Sequence, residues 1–145
     1  MKGQISLEFI LIFSALLMIF AGISVSFYQT GRADSDEGMQ LADAKRAAIL
    51  LVNALNSVYL EGVGARQTVE YWAPPAQFCW VNENGRLALR LDLGFDVLIS
   101  PSLLPADNLV RGWIENTSEY SFHRTTIRYV SPDNLYVSDR IVRNA

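Results

Sequence analysis

The 145-residue chain has a single cysteine, Cys79, and a single histidine, His123. One cysteine excludes an intrachain disulfide, so any part outside the cell must hold together through its core and its partners. The lone cysteine and lone histidine also exclude a His/Cys zinc site within one chain. Basic residues are outnumbered by acidic ones, 12 to 15. With no basic patch to offset phosphate charge, nucleic acid is excluded as a partner. A glycine-rich phosphate loop, a serine nucleophile elbow and an HExxH pair are all missing, so no enzyme class and no cofactor is indicated.

Charge is missing from residues 9–28 as well. About 20 such residues in a helix span a hydrocarbon layer of roughly 30 Å. A secretory signal would have a shorter apolar region and a small-residue cleavage site after it, and neither is found. Ser14, Ser24 and Ser26 can satisfy their hydroxyls on helix carbonyls. Lys2 precedes the span and the acidic stretch GRADSDEG follows it. The positive-inside tendency then puts the N-terminus in the cytoplasm and everything after Tyr28 outside. Glu8 sits at the leading edge of this apolar run with only Lys2 near it in sequence. A buried unpaired charge costs several kcal/mol, so a partner for Glu8 has to be found.

The ordered set Lys2-Gly3-Gln4-Ile5-Ser6-Leu7-Glu8-Phe9 resembles the processing site of archaeal type IV pilin precursors with the short class III signal peptide. A basic residue, a small residue, the glutamine, the glutamate and the apolar tract all match, over roughly the first 30 residues. The resemblance implies that a prepilin peptidase cuts between Gly3 and Gln4. It also implies that the helix joins a filament core through Phe9, Ile12, Phe13, Leu16, Leu17, Phe20, Ile23 and Phe27. Cleavage would free the α-amino group of Gln4. In a staggered bundle that ammonium meets Glu8 of a neighbour, and the pair offsets the desolvation of each charge. The helix dipole also favours a carboxylate in the first turn. Glu8 then selects one axial stagger over the others.

Beyond the span, Gly31 and Gly38 are each unfavourable by about 1 kcal/mol in a helix interior. Asp34, Ser35 and Asp36 lie between them as possible caps. The helix therefore either continues with a weak point at residues 31–38 or stops and restarts there. Leu41, Ala44, Ala48, Leu51, Leu55 and Val58 recur at helical spacing, a stripe to be buried, and Gly62 and Gly64 end the pattern. After Gly64 the texture is that of strands. QTVEYW ends at Pro74-Pro75. QFCWV and RLALRLDL flank NENG, a hairpin signal at Asn84-Gly85. FDVLIS is stopped by Pro101 and Pro105. In SEYSFHRTTIRYV the apolar parity slips between Phe122 and Ile127, which predicts a bulge. NLYVSDRIV follows. The expected fold is α+β: a long N-terminal hydrophobic helix, then a small domain of four to six antiparallel strands packed on the helix's C-terminal half. The divisions are a leader at 1–3, a membrane and filament-core helix at 4–30, an amphipathic stem at 31–62 and an extracellular β-rich domain at 63–145.

His123 reads as structural or surface rather than as a base without a partner. Cys79 reads as a small buried hydrophobe, with a reactive or intermolecular thiol as the alternative. Asp34, Asp36 and Glu37 lack the spacing of a calcium loop and read as a solvated linker, so no metal is expected. Trp72, Trp80 and Trp113 read as core or inter-subunit contacts, with a carbohydrate-binding surface as an alternative that nothing in the sequence supports. Asn116-Thr117-Ser118 is an N-glycosylation sequon. The functional expectation is a non-enzymatic subunit of an extracellular archaeal type IV pilus-like filament serving surface adhesion or cell–cell contact. Its partners would be copies of itself, the prepilin peptidase, an assembly ATPase and, before assembly, the membrane. The alternatives are a singly anchored surface binding domain that never polymerises and a minor or priming subunit.

Overall fold

The computed structural model describes residues 7–106, 109–116, 118–132 and 134–144. It divides into two compact units, residues 1–39 and 40–145. Helix α1 spans Leu7–Glu61. Its backbone passes through Gly31 and Gly38 without a break, so Asp34, Ser35 and Asp36 are interior helical residues and cap nothing. The helix ends where expected. Gly62 takes φ +92° and returns its N–H to Val58 O at 3.3 Å, a C-terminal closure that needs the left-handed region.

Over residues 9–28 the helix is apolar all round, and every side chain from position 8 to 39 is exposed. Ser14 and Ser26 donate to the carbonyls of Ile10 and Gly22 at 2.7 and 3.1 Å, and Thr30 does the same to Ser26. Ser24 makes no such bond among the described residues.

In the second unit seven strands follow the helix among the described residues: β1 Arg66–Ala73, β2 Gln77–Glu83, β3 Arg86–Asp92, β4 Val97–Pro105, β5 Leu109–Trp113, β6 Ser121–Ser131 and β7 Asn134–Asn144. They form a four-stranded sheet in the order β1-β6-β7-β5 and a three-stranded sheet in the order β2-β3-β4. Ala44, Ala47, Ala48, Leu51, Val52, Ala54, Leu55 and Val58 of the helix are buried with Tyr71, Phe78, Leu89, Leu91, Leu104, Ile127, Leu135 and Val137 of the strands. The four alanines keep the helix surface shallow, and the branched residues fill the space between them. Each fully buried Leu or Val contributes roughly 1.5–3 kcal/mol. Of the expected stripe, only Leu41 is left partly exposed.

The hairpin stands at Asn84-Gly85, with φ +52° and +78°, the pair of positive values a type I′ turn demands. Four expectations need correction. The strand begun by FDVLIS does not stop at Pro101, since β4 runs on to Pro105. It can do so because β4 is an edge strand, where a proline need not interrupt a ladder. The register jumps between Arg86 and Ala88, and Ser102 Oγ donates to Leu87 O at 2.7 Å across the irregularity. Second, residues 109–113 form a strand that the sequence pattern did not predict. It pairs in parallel with β7, so the described residues form seven strands and the domain is not wholly antiparallel. Third, Cys79 is exposed, because its neighbour Phe78 takes the inward position. Finally, the inward parity of β6 never slips: Ser121, His123, Thr125, Ile127 and Tyr129 all point inward. The expected irregularity is present, since the β6–β7 register shifts between Phe122 and His123, but the extra residue is Val142 of β7, and the broken apolar pattern has another cause. Inward positions there carry polar side chains.

Candidate functional site

Glu8 lies in the first turn of α1 and is exposed, where unsatisfied backbone N–H groups favour a negative charge. Gly3 and Gln4, the expected processing site, lie outside the described residues. Phe9, Ile12, Phe13, Leu16, Leu17, Phe20, Ile23 and Phe27 are each more than half exposed. Phe9 and Phe13 stack with ring centroids 6.2 Å apart, as residues one turn apart do. Ile10, Leu11, Met18, Ile19 and Val25 are equally exposed on the other faces. The apolar surface is thus a full cylinder, of which the eight expected residues are one part. A helix apolar on every side belongs in lipid or among other helices. By length and composition this one can cross a membrane, with a mean hydropathy of 2.5 in its most apolar window.

The second unit contains a polar cluster that the sequence did not reveal. His123 Nδ1 lies 2.7 Å from Asp139 Oδ2, and His123 Nε2 lies 2.8 Å from Ser121 Oγ. Asp139 also accepts from Thr125 Oγ1 and, at 3.0 Å, from the backbone N–H of Glu115. Tyr71 O–H continues the chain to Thr125 Oγ1 at 3.0 Å. In the neutral tautomer that donates from Nδ1 to the Asp139 carboxylate, Nε2 can accept from Ser121. The imidazole stacks on Tyr71 at 5.4 Å, with the ring planes 8° apart. Burial, then the charge of Asp139, pushes the Tyr71 phenol well above its ordinary range. The Ser-His-Asp order invites a catalytic reading, but Ser121 and His123 are completely buried. The hydroxyl has no open face for a substrate, so the cluster ties β1, β6 and β7 together instead. The available signal was the period-two run Ser121, His123, Thr125 leading into Ile127 and Tyr129.

Asn116 is exposed, and its Oδ1 accepts the N–H of Phe78 at 2.8 Å. The sequon asparagine therefore also anchors the connection between β5 and β6. Asp34, Asp36 and Glu37 are exposed along the helix, and no metal-binding cluster occurs among the described residues.

Residues 2–25 match the family model for the class III signal peptide. The chain carries a class III signal peptide. This is the type IV pilin-like prepilin signal, and it begins just before α1 and covers most of the exposed apolar run. The signal goes with a membrane-anchored, secreted, structural precursor of the pilin-like kind and implies processing by a prepilin peptidase. No curated protein matches the chain, and no solved structure does.

Proposed function

We propose that the chain is a structural subunit of an extracellular type IV pilus-like filament of the archaeal kind, acting in surface adhesion or cell–cell contact. The carrying observation is that the class III signal at residues 2–25 coincides with a helix whose apolar side chains over residues 9–28 are all exposed. In the precursor the helix is a membrane anchor, with the N-terminus cytoplasmic and residues 63–145 outside. The peptidase removes residues 1–3, and residues 4–30 become the filament core, with 31–62 as the stem. Helices already in lipid gain little from the hydrophobic effect when they associate. Assembly therefore depends on packing through Phe9, Ile12, Phe13, Leu16, Leu17, Phe20, Ile23 and Phe27, on pairing of Glu8 with the Gln4 amine of a neighbour, and on work by a membrane ATPase. Asn116 is positioned for glycan attachment.

Electron microscopy of cells expressing Glu8→Ala tests the reading. The variant should be processed and held in the membrane at wild-type level but form no filaments. Filaments at wild-type abundance would refute the pairing. A wild-type protein that forms none and keeps its leader would be the non-polymerising anchor.

A further inference from the structure

A groove of about 340 Å³ lies wholly within residues 40–145. One wall is the helix, with Asp43 and Arg46; the other is Glu70 and Trp72 of β1 with Tyr120 and Phe122. Its volume is within the rough 300–1,000 Å³ range of small-molecule sites. Trp72 forms its platform. The indole is 42% exposed and is supported by Phe122 and Tyr120, at 5.2 and 6.2 Å between centroids. Phe122 lies directly opposite Trp72 in the β1–β6 ladder, so the platform is fixed by strand register. The polar groups at its edge are also held. Asp43 Oδ2 accepts the Tyr120 hydroxyl, and Glu70 pairs with Arg124 at 2.6 Å. Arg46 is exposed and has no ion-pair partner among the described residues.

The charges decide the ligand. Asp43 and Glu70 are balanced by Arg46 and Arg124, so neither a cation nor an anion is favoured. A purely apolar ligand would strip water from the Asp43 carboxylate and the Arg46 guanidinium without replacing it, which is costly. A molecule with one apolar face for an indole and hydroxyls around its rim satisfies both halves. We infer that this groove binds a neutral sugar, with its ring lying on Trp72 and its hydroxyls bonded to Asp43 and Arg46. The binding needs no filament, so its failure and the failure of the assembly reading are separate.

The full chain, kept unassembled in a non-glycosidic detergent, is mixed in turn with the methyl pyranosides of glucose, mannose, galactose and N-acetylglucosamine, and saturation-transfer NMR is recorded. At least one sugar should receive saturation, strongest on the protons of its apolar face. Trp72→Ala should abolish the transfer. Arg46→Ala, an exposed helical change, should weaken binding about tenfold and leave the melting temperature unchanged. Should Trp72→Ala fail to fold by circular dichroism, Arg46→Ala alone decides. No transfer from any of the four sugars overturns the inference, as does binding unaffected by Arg46→Ala. Transfer from choline but from no sugar makes the groove a cation site and overturns it too.

Discussion

Gly112 is held by two independent constraints. Its φ is +99°, a region closed to most side chains. A Cβ placed there would lie 1.8 Å from the carbonyl oxygen of Val137 on the adjacent parallel strand. Gly112→Ala must therefore move backbone against backbone. It should lower unfolding stability by about 3 kcal/mol, read from the midpoint of a urea transition. A change within half a kcal/mol would mean that β5 does not pair as described. Tyr120 gives a second expectation. Burial first, and then the bonded Asp43 carboxylate, push its pKa from 10.0 up to about 12. Its folded-state pKa is raised, so its stabilising contribution is whole below pH 10 and is lost as pH rises through 12. Thermal melts across that interval should fall more steeply for wild type than for Tyr120→Phe. Parallel slopes would show that the phenol does not titrate against Asp43.

The helix argues differently, because its weak point is intrinsic. Nothing lies within 4 Å of a Cβ built at Gly31 or at Gly38. Alanine there is free of steric cost and improves helix propensity by about 1 kcal/mol at each site. Gly31→Ala/Gly38→Ala should slow amide exchange across residues 31–38. Unchanged exchange would show that something other than glycine sets the order of this stretch. The two helical stretches, the glycine terminus and the Asn84-Gly85 hairpin were legible in the sequence because local chemistry decides them, whereas the continuity of the helix through residues 31–38 was left open. Strand β5 was not. It has five residues, one of them Gly112, and its pairing with β7 is a non-local event that leaves little trace in a short run. The buried cluster around His123 was obscure for a related reason. Polar residues at inward positions look like a register error until the partners, Asp139 and Tyr71, are brought in from other strands.

At the scale of the whole molecule, two units carry two separate roles. The apolar side chains of residues 9–28 are exposed among the described residues, a surface suited to lipid and, in the proposed filament, to copies of itself. Residues 40–145 have their own core, built on Leu51, Leu55, Leu89 and Ile127. The proposed assembly turns on Glu8, whose charge would become tolerable away from water only once a neighbour's amine is available. That amine exists only after proteolysis. Glu8 was legible in the sequence as an anomaly, a carboxylate at the head of an apolar run, although the order of residues from Lys2 to Phe9 was needed to say what resolves it. Intact-mass and N-terminal analysis of subunits from purified filaments tests this most directly. The account predicts chains that begin at Gln4 with a free α-amine. Filaments built from chains that still carry Met1, Lys2 and Gly3 would contradict it.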